Sequence, residues 1–232
     1  MRKESTQEFA VIFDMDGVIV DSNPVHRRAL VQFFDRHNII LTEQELREKV
    51  FGRTNEEWLR EAFPGITEEK INRYIEEKEA LYRELYADTI EPLPGLRNFL
   101  DSLRSHNIPL AIATSAPKVN ADWVLDKTQL AGYFQTILTA KNVELGKPHP
   151  EIYLKTASAL DVAPASCIVF EDSLSGMEAA GRAGAVVVGV STTHSPEEMQ
   201  GTAMIIEDFT GLDYEKVVSL PNPKRNPALI DS

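Results

Sequence analysis

The chain lacks the features that mark several protein classes. It has one cysteine, Cys167, in 232 residues, which excludes an intrachain disulfide and a zinc site built from several thiolates. A reducing, cytoplasmic location is therefore expected. Basic residues are scarce, with 24 Lys+Arg against 36 Asp+Glu and a net charge of −12. Such a field repels phosphate backbones and anionic lipids, so neither nucleic acid nor membrane is an expected partner. No apolar run approaches the ~18 residues of a membrane helix. The first eight residues carry two basic and two acidic side chains and lead into a run that Asp14 interrupts, so no signal peptide is expected. The histidines (His26, His37, His106, His149 and His194) show no metal-binding spacing. Repeats and low-complexity segments are absent, although 221–227 reads as a loosely attached tail.

What is present is an ordinary globular balance, 43% hydrophobic and 26% charged, enough for one large domain or a core with a smaller module. Three short apolar runs end abruptly in reactive side chains: Phe9–Phe13 before Asp14, Leu110–Ala113 before Thr114-Ser115, and Cys167–Phe170 before Glu171-Asp172. Continuous runs of this length suit strands buried on both faces of a parallel sheet. Ala185–Val188 and Met204–Ile206 extend the sheet. Helical stripes lie between them, at Leu96, Phe99, Leu100 and Leu103, and at Val119, Trp123 and Val124. From Val20 to Glu91 the pattern is helical. Asn23-Pro24 reads as an N-cap followed by proline at the first helical position, with His26, Leu30, Phe33 and Phe34 after it. Thr42 with Glu45 and Thr54 with Glu57 make capping boxes, and a long helix is expected over 67–86. Residues 1–20 and 91–232 thus form an α/β core around a parallel sheet, and 21–90 an inserted all-helical domain.

In an open parallel sheet the three polar endings converge beyond the carboxyl ends of the strands. Asp14 and Asp16 can divide labour there, one attacking an electrophile and the other moving protons, while Gly17 permits close backbone approach. Crowding Asp14, Asp16, Glu171 and Asp172 raises their pKa values by repulsion unless a cation compensates, and Mg2+ is the expected occupant. Lys147, between Gly146 and Pro148, adds a fixed cation. Thr114 and Ser115 add a hydroxyl and N–H donors at the start of the following helix. The set describes phosphoryl transfer to a carboxylate.

These segments resemble the four motifs of the haloacid dehalogenase-like hydrolase superfamily, and its beta-phosphoglucomutase-like branch in particular: Val11–Val18 with Asp14-Met-Asp16-Gly17, then Thr114, then Gly146-Lys147-Pro148, then Glu171-Asp172 with Ser173–Gly176. The resemblance implies a Rossmann-like core flanked by helices, with a helical cap inserted after the first motif. It implies Asp14 as nucleophile, Asp16 as general acid and base, Lys147 and Thr114 as phosphoryl ligands, and Mg2+ held by Asp14, the Asp16 carbonyl, Asp172 and Glu171, the last directly or through water. Dehalogenases of the superfamily lack the second aspartate, so phosphate-ester chemistry is expected. In the cap, His26 and Lys78 match substrate-binding positions, as does the loop Gly52-Arg53-Thr54-Asn55. Asn55 stands where the mutases carry an arginine that grips a second phosphate. The expected activity is an Mg2+-dependent phosphatase, acting as a monomer on a small phosphorylated metabolite such as a sugar phosphate. A phosphoglucomutase is the alternative. A non-enzymatic phospho-acceptor switch is a third reading, opposed by Asp16 and by a cap of about seventy residues.

Overall fold

The computed structural model describes residues 9–50 and 54–220; Gly52, Arg53 and the 221–227 tail lie outside them. The chain divides into two compact units, one of residues up to Asp21 and from Ile90 onward, the other Ser22–Thr89.

The first unit is a six-stranded parallel sheet with helices between its strands. Its strands are β1 (Ala10–Phe13), β2 (Leu110–Ala113), β3 (Thr136–Leu138), β4 (Cys167–Glu171), β5 (Val186–Val190) and β6 (Met204–Ile206), in the order β3-β2-β1-β4-β5-β6. β1, β2, β4 and β5 are buried along their whole length, which explains why their sequences are apolar throughout rather than alternating. Ala10 and Ile12 of β1 pack into one core layer with Ala111, Val169, Ile152 and Tyr153. On the opposite face, Phe13 stacks on Phe170 at 5.1 Å and meets Phe99 and Phe209 edge-on or tilted. The intervening helices are α5 (Leu96–Ser105), α6 (Lys118–Thr128), α7 (Glu151–Ala159) and α8 (Leu174–Ala183), with α9 (Tyr214–Val218) near the end.

The helical unit comprises α1 (Asn23–Arg36), α2 (Glu43–Lys49), α3 (Asn55–Ala62) and α4 (Glu68–Tyr86). α1 and α4 pack along each other, and Phe33 joins Trp58, Phe63 and Tyr74 in an aromatic core. Both expected capping boxes form. Among the described residues no helix is long and apolar enough to cross a membrane.

Four local expectations are corrected. Helix α1 starts one residue earlier than expected, with Ser22 at the cap position and no side-chain capping bond. On α6, Val119 is exposed and the buried face is Asn120, Ala121, Val124, Leu125 and Thr128; the Thr128 hydroxyl satisfies itself on the Val124 carbonyl at 2.7 Å, so a polar residue can hold a core position. β5 begins one residue later and ends two residues later than the expected Ala185–Val188 run. Finally, α6 starts at Lys118, so Thr114 and Ser115 precede the helix instead of opening it.

Candidate active site

β2 flanks β1 on one side and β4 on the other, so the sheet order reverses between β1 and β4, where ligands of open parallel sheets bind. Phe13 is level with Phe170, and the Asp14 N–H donates to the Phe170 carbonyl at 3.0 Å. Asp14 therefore emerges beside Glu171 and Asp172, with one carboxylate oxygen of each within 4.8 Å of the others. All three are buried. Lys147 completes the group from the loop before α7. Its Nζ donates to Asp14 Oδ1 at 2.8 Å, to Glu171 Oε1 at 2.6 Å and to the Ala113 carbonyl at 3.3 Å. That loop is pinned by Glu151, whose carboxylate accepts the N–H groups of Glu144 and Leu145. Lys155 and these two donors bring the Glu151 pKa down to about 2.

Burial raises the Asp14 pKa well above the usual carboxylate range; Lys147 works against the rise, and Glu171, Asp172 and Asp16 add to it. Burial, then repulsion from Glu171, lifts Asp172 to about 7. The sequence pattern points to repulsion as the driver, but desolvation is the larger cause. Glu171 moves the other way: burial alone would raise it, yet Lys147, Tyr153 and Ser173 outweigh that and lower it. Burial disfavours the Lys147 charge, but Asp14 and Glu171 overcome it and raise its pKa well above the ordinary lysine value. A buried, all-oxygen donor set around Asp14 and Asp172 has the chemistry that suits a hard divalent cation such as Mg2+.

The rest of the rim is held by backbone. Gly17 takes φ 75°, a conformation only glycine adopts at little cost, and its carbonyl accepts the Thr192 hydroxyl at 2.6 Å. Asp16, half-buried, bridges to Val20. Thr114 is buried and its Oγ1 accepts the Ala116 N–H at 3.1 Å, while Ser115 is exposed. The Thr193 hydroxyl, three residues beyond β5, donates to Asp172 Oδ2. Gly176, in the first turn of α8, has no room for a side chain: a Cβ there would lie 1.8 Å from Glu171 Oε1. Gly176→Ala is expected to cost about 1 to 3 kcal/mol by overpacking, read as a lower urea midpoint; a midpoint equal to that of the unmodified protein would mean the Glu171 carboxylate is not fixed there.

Within the helical unit, half-buried His26 and Asn55 form one cluster with buried Lys78 and Glu79. Lys78 Nζ donates to Glu79 Oε1 at 2.9 Å and lies 3.1 Å from His26 Nδ1. The His26 ring stacks on Tyr82 at 3.8 Å. Asn55 donates to Glu79 Oε1 at 2.9 Å and accepts from the Trp58 indole at 3.2 Å. Burial would raise the Glu79 pKa, but the charges of Lys78 and His26 and the bonds from Lys78 and Asn55 lower it on balance. Thr54 caps α3, accepting the Glu57 N–H and donating to its carboxylate.

Sequence reasoning missed Tyr153, Thr192, Thr193, Glu151 and Glu79. Tyr153 reads as an apolar helix position. Glu79 carries a signal only in adjoining Lys78, since two charges side by side on a helix can both be buried if they pair.

The sequence pattern of the haloacid dehalogenase-like hydrolases matches residues 11–190. A phosphorylated carbohydrates phosphatase of Thermotoga maritima is 37% identical over 180 residues, covering 75% of this chain and 81% of that protein. The beta-phosphoglucomutase of Bacillus subtilis is 30% identical over 216 residues, covering 89% and 92%. A crystal structure of a HAD hydrolase, family IA, variant 3, from Entamoeba histolytica superposes with a TM-score of 0.83 at 32% identity, covering 90% of this chain and 97% of that one. A sheet of this order, with three of the motif segments at its strand ends and the lysine motif in the loop before α7, and with similarity along most of the chain's length, makes the chain a member of the haloacid dehalogenase-like hydrolase family, related to the beta-phosphoglucomutases.

Proposed function

We propose that the protein is an Mg2+-dependent phosphatase that hydrolyses a small phosphorylated metabolite, a sugar phosphate or similar ester, through a phosphorylated Asp14. The observation that carries this reading is the buried Lys147 ammonium, 2.8 Å from Asp14 where the strand order reverses, with Asp172 alongside. A fixed cation beside a fixed carboxylate suits attack on a phosphoryl group. One Asp14 oxygen bonds to phosphorus as the ester P–O bond breaks, and Asp16 gives its proton to the departing oxygen. Asp16 then takes a proton from water, the water oxygen bonds to phosphorus, and Asp14 leaves as carboxylate with release of inorganic phosphate. Lys147, Thr114 and Ser115 hold the non-bridging oxygens. Asp14, Asp172 and the Asp16 carbonyl would hold Mg2+, which supplies positive charge to the phosphoryl oxygens.

The helical unit selects the remainder of the substrate through His26, Lys78 and Asn55, and the enzyme works as a monomer in the cytoplasm. Asn55 favours hydrolysis over mutation of the sugar phosphate. Its amide is neutral and already bonded to Glu79 and Trp58, so it lacks the charged, bidentate grip that would retain a bisphosphate. The mutase reading draws on the Bacillus subtilis relative. A phosphate-release screen over sugar phosphates, nucleotides and pyrophosphate with Mg2+ should find at least one sugar phosphate hydrolysed, and EDTA should abolish the release. With β-glucose 1-phosphate and bisphosphate primer, inorganic phosphate should appear faster than glucose 6-phosphate. Efficient isomerisation with little phosphate would replace this reading by the mutase, and no release from any ester would end both.

A further inference from the structure

We propose that Thr192 is a positioning residue for the reaction: its hydroxyl fixes the turn that carries Asp16 and so holds the general acid against the departing oxygen. The inference rests on the phosphatase reading of the site and on the role given there to Asp16. Residues 15–20 form a tight turn closed by its own backbone. The Ile19 N–H donates to the Met15 carbonyl at 2.8 Å and the Gly17 N–H to the Val20 carbonyl at 2.8 Å, so the turn moves as one piece. Its ends are tied down, the Asp14 N–H on the Phe170 carbonyl at 3.0 Å before it and the Ile19 carbonyl on the Leu93 N–H at 2.9 Å after it. A segment held at two ends can still pivot about the line that joins them, and Asp16 lies between those ends. The Thr192 hydroxyl takes hold in the middle, on the Gly17 carbonyl at 2.6 Å, one residue from Asp16. Glycine offers no side chain to grip, so the main-chain oxygen is the handle.

The donor is itself fixed. Ser191 gives both its N–H, at 2.8 Å, and its hydroxyl, at 3.3 Å, to the Ile206 carbonyl that ends β6, and the Thr192 N–H donates to the Val190 carbonyl at 2.9 Å. In the sheet β4 lies between β1 and β5, so Thr192 reaches past the end of β4 and carries the position of β5 and β6 to the turn after β1. The Gly17 carbonyl is not among the oxygens assigned to Mg2+, and the bond and the metal do not compete. The consequence falls on proton transfer, because misplacing a reacting group by about 1 Å can cost about 100-fold in rate.

Esters differ in how much they need that proton. Phenoxide is a poor leaving group and departs with help from Asp16, whereas p-nitrophenoxide spreads its charge into the nitro group and departs with little. The value of kcat/KM covers the steps up to this departure. The test compares kcat/KM for phenyl phosphate and p-nitrophenyl phosphate, at saturating Mg2+, in unmodified, Thr192→Val, Thr192→Ala and Thr192→Ser proteins, with circular dichroism as the check on folding. Valine and alanine remove the hydroxyl, and serine keeps it. The expected result is a loss of about tenfold for phenyl phosphate in Thr192→Val and Thr192→Ala, a fraction of the 100-fold or more that a general acid contributes. The value for p-nitrophenyl phosphate should stay within about twofold of the unmodified protein, and Thr192→Ser should restore both. An equal loss on the two esters, no loss on either, or a serine variant as impaired as the valine one would overturn the positioning role. An unmodified protein that hydrolyses neither ester would instead overturn the phosphatase reading on which the inference stands.

Discussion

Asp14→Asn should lower kcat for phosphate release by roughly four orders of magnitude, about 5.5 kcal/mol of transition-state stabilisation. The substitution keeps size and an oxygen acceptor for Lys147 but removes the attacking charge. The fold should survive, because Asp14 sits where burial already disfavours its charged form. An amide there carries no charge to desolvate. Steady-state phosphate assays, checked by circular dichroism and a thermal melt, measure both halves. Activity near that of the unmodified enzyme in a pure, folded variant would remove Asp14 as the nucleophile.

The second large effect belongs to the helical unit. Glu79→Ala leaves the Lys78 ammonium, 7% exposed in its side chain, without the carboxylate that compensates it, and breaking one partner from a buried pair costs about 3 to 5 kcal/mol. Replacing both with apolar residues, as in Lys78→Met with Glu79→Leu, should restore most of that loss. Trp58 reports locally through its bond to Asn55, so urea unfolding followed by Trp58 fluorescence in a Trp123→Phe background reads the unit containing the cluster. The pH response has a definite sign. Glu79 has its folded pKa below the unfolded value, so its contribution is present above the ordinary carboxylate pKa and is lost as pH falls through the lower folded value. The unmodified protein should therefore show an acid loss of stability that Glu79→Ala flattens. A Glu79→Ala midpoint unchanged at neutral pH would show that the pair does not support the unit.

The strand endings were legible because doubly covered strands must be apolar from end to end, and their first polar residues mark the reactive edge. β3 escaped notice because Thr136 and Ile137 are only half-buried and the strand has three residues at the sheet edge. Asp14, Lys147 and the adjoining Glu171-Asp172 are far apart in the chain and meet through the register of β1 with β4 and the course of the loop before α7, which no local pattern encodes. The supports were harder still. Tyr153 and Glu171 are eighteen residues apart, and the hydroxyl that matters is hidden in a residue that also fits an apolar stripe. Asn55 was legible only as the absence of an arginine; its bonds to Glu79 and Trp58 appear once α3 and α4 are packed.

The segment leading into the helical unit and the one leaving it are tied to each other within the sheet unit: Val20 pairs antiparallel with Pro92, and the Leu93 N–H donates to the Ile19 carbonyl at 2.9 Å. The insertion is thus a loop whose mouth is already closed by the fold that carries it. Because closure entropy grows only logarithmically with loop length, at about 0.6 kcal/mol per doubling, the segment between Asp21 and Ile90 can be lengthened, shortened or exchanged with little penalty to the sheet. Selection can therefore change the insertion while leaving the strand ends untouched, and a chimera carrying another family member's insertion at these two junctions should retain the folded sheet.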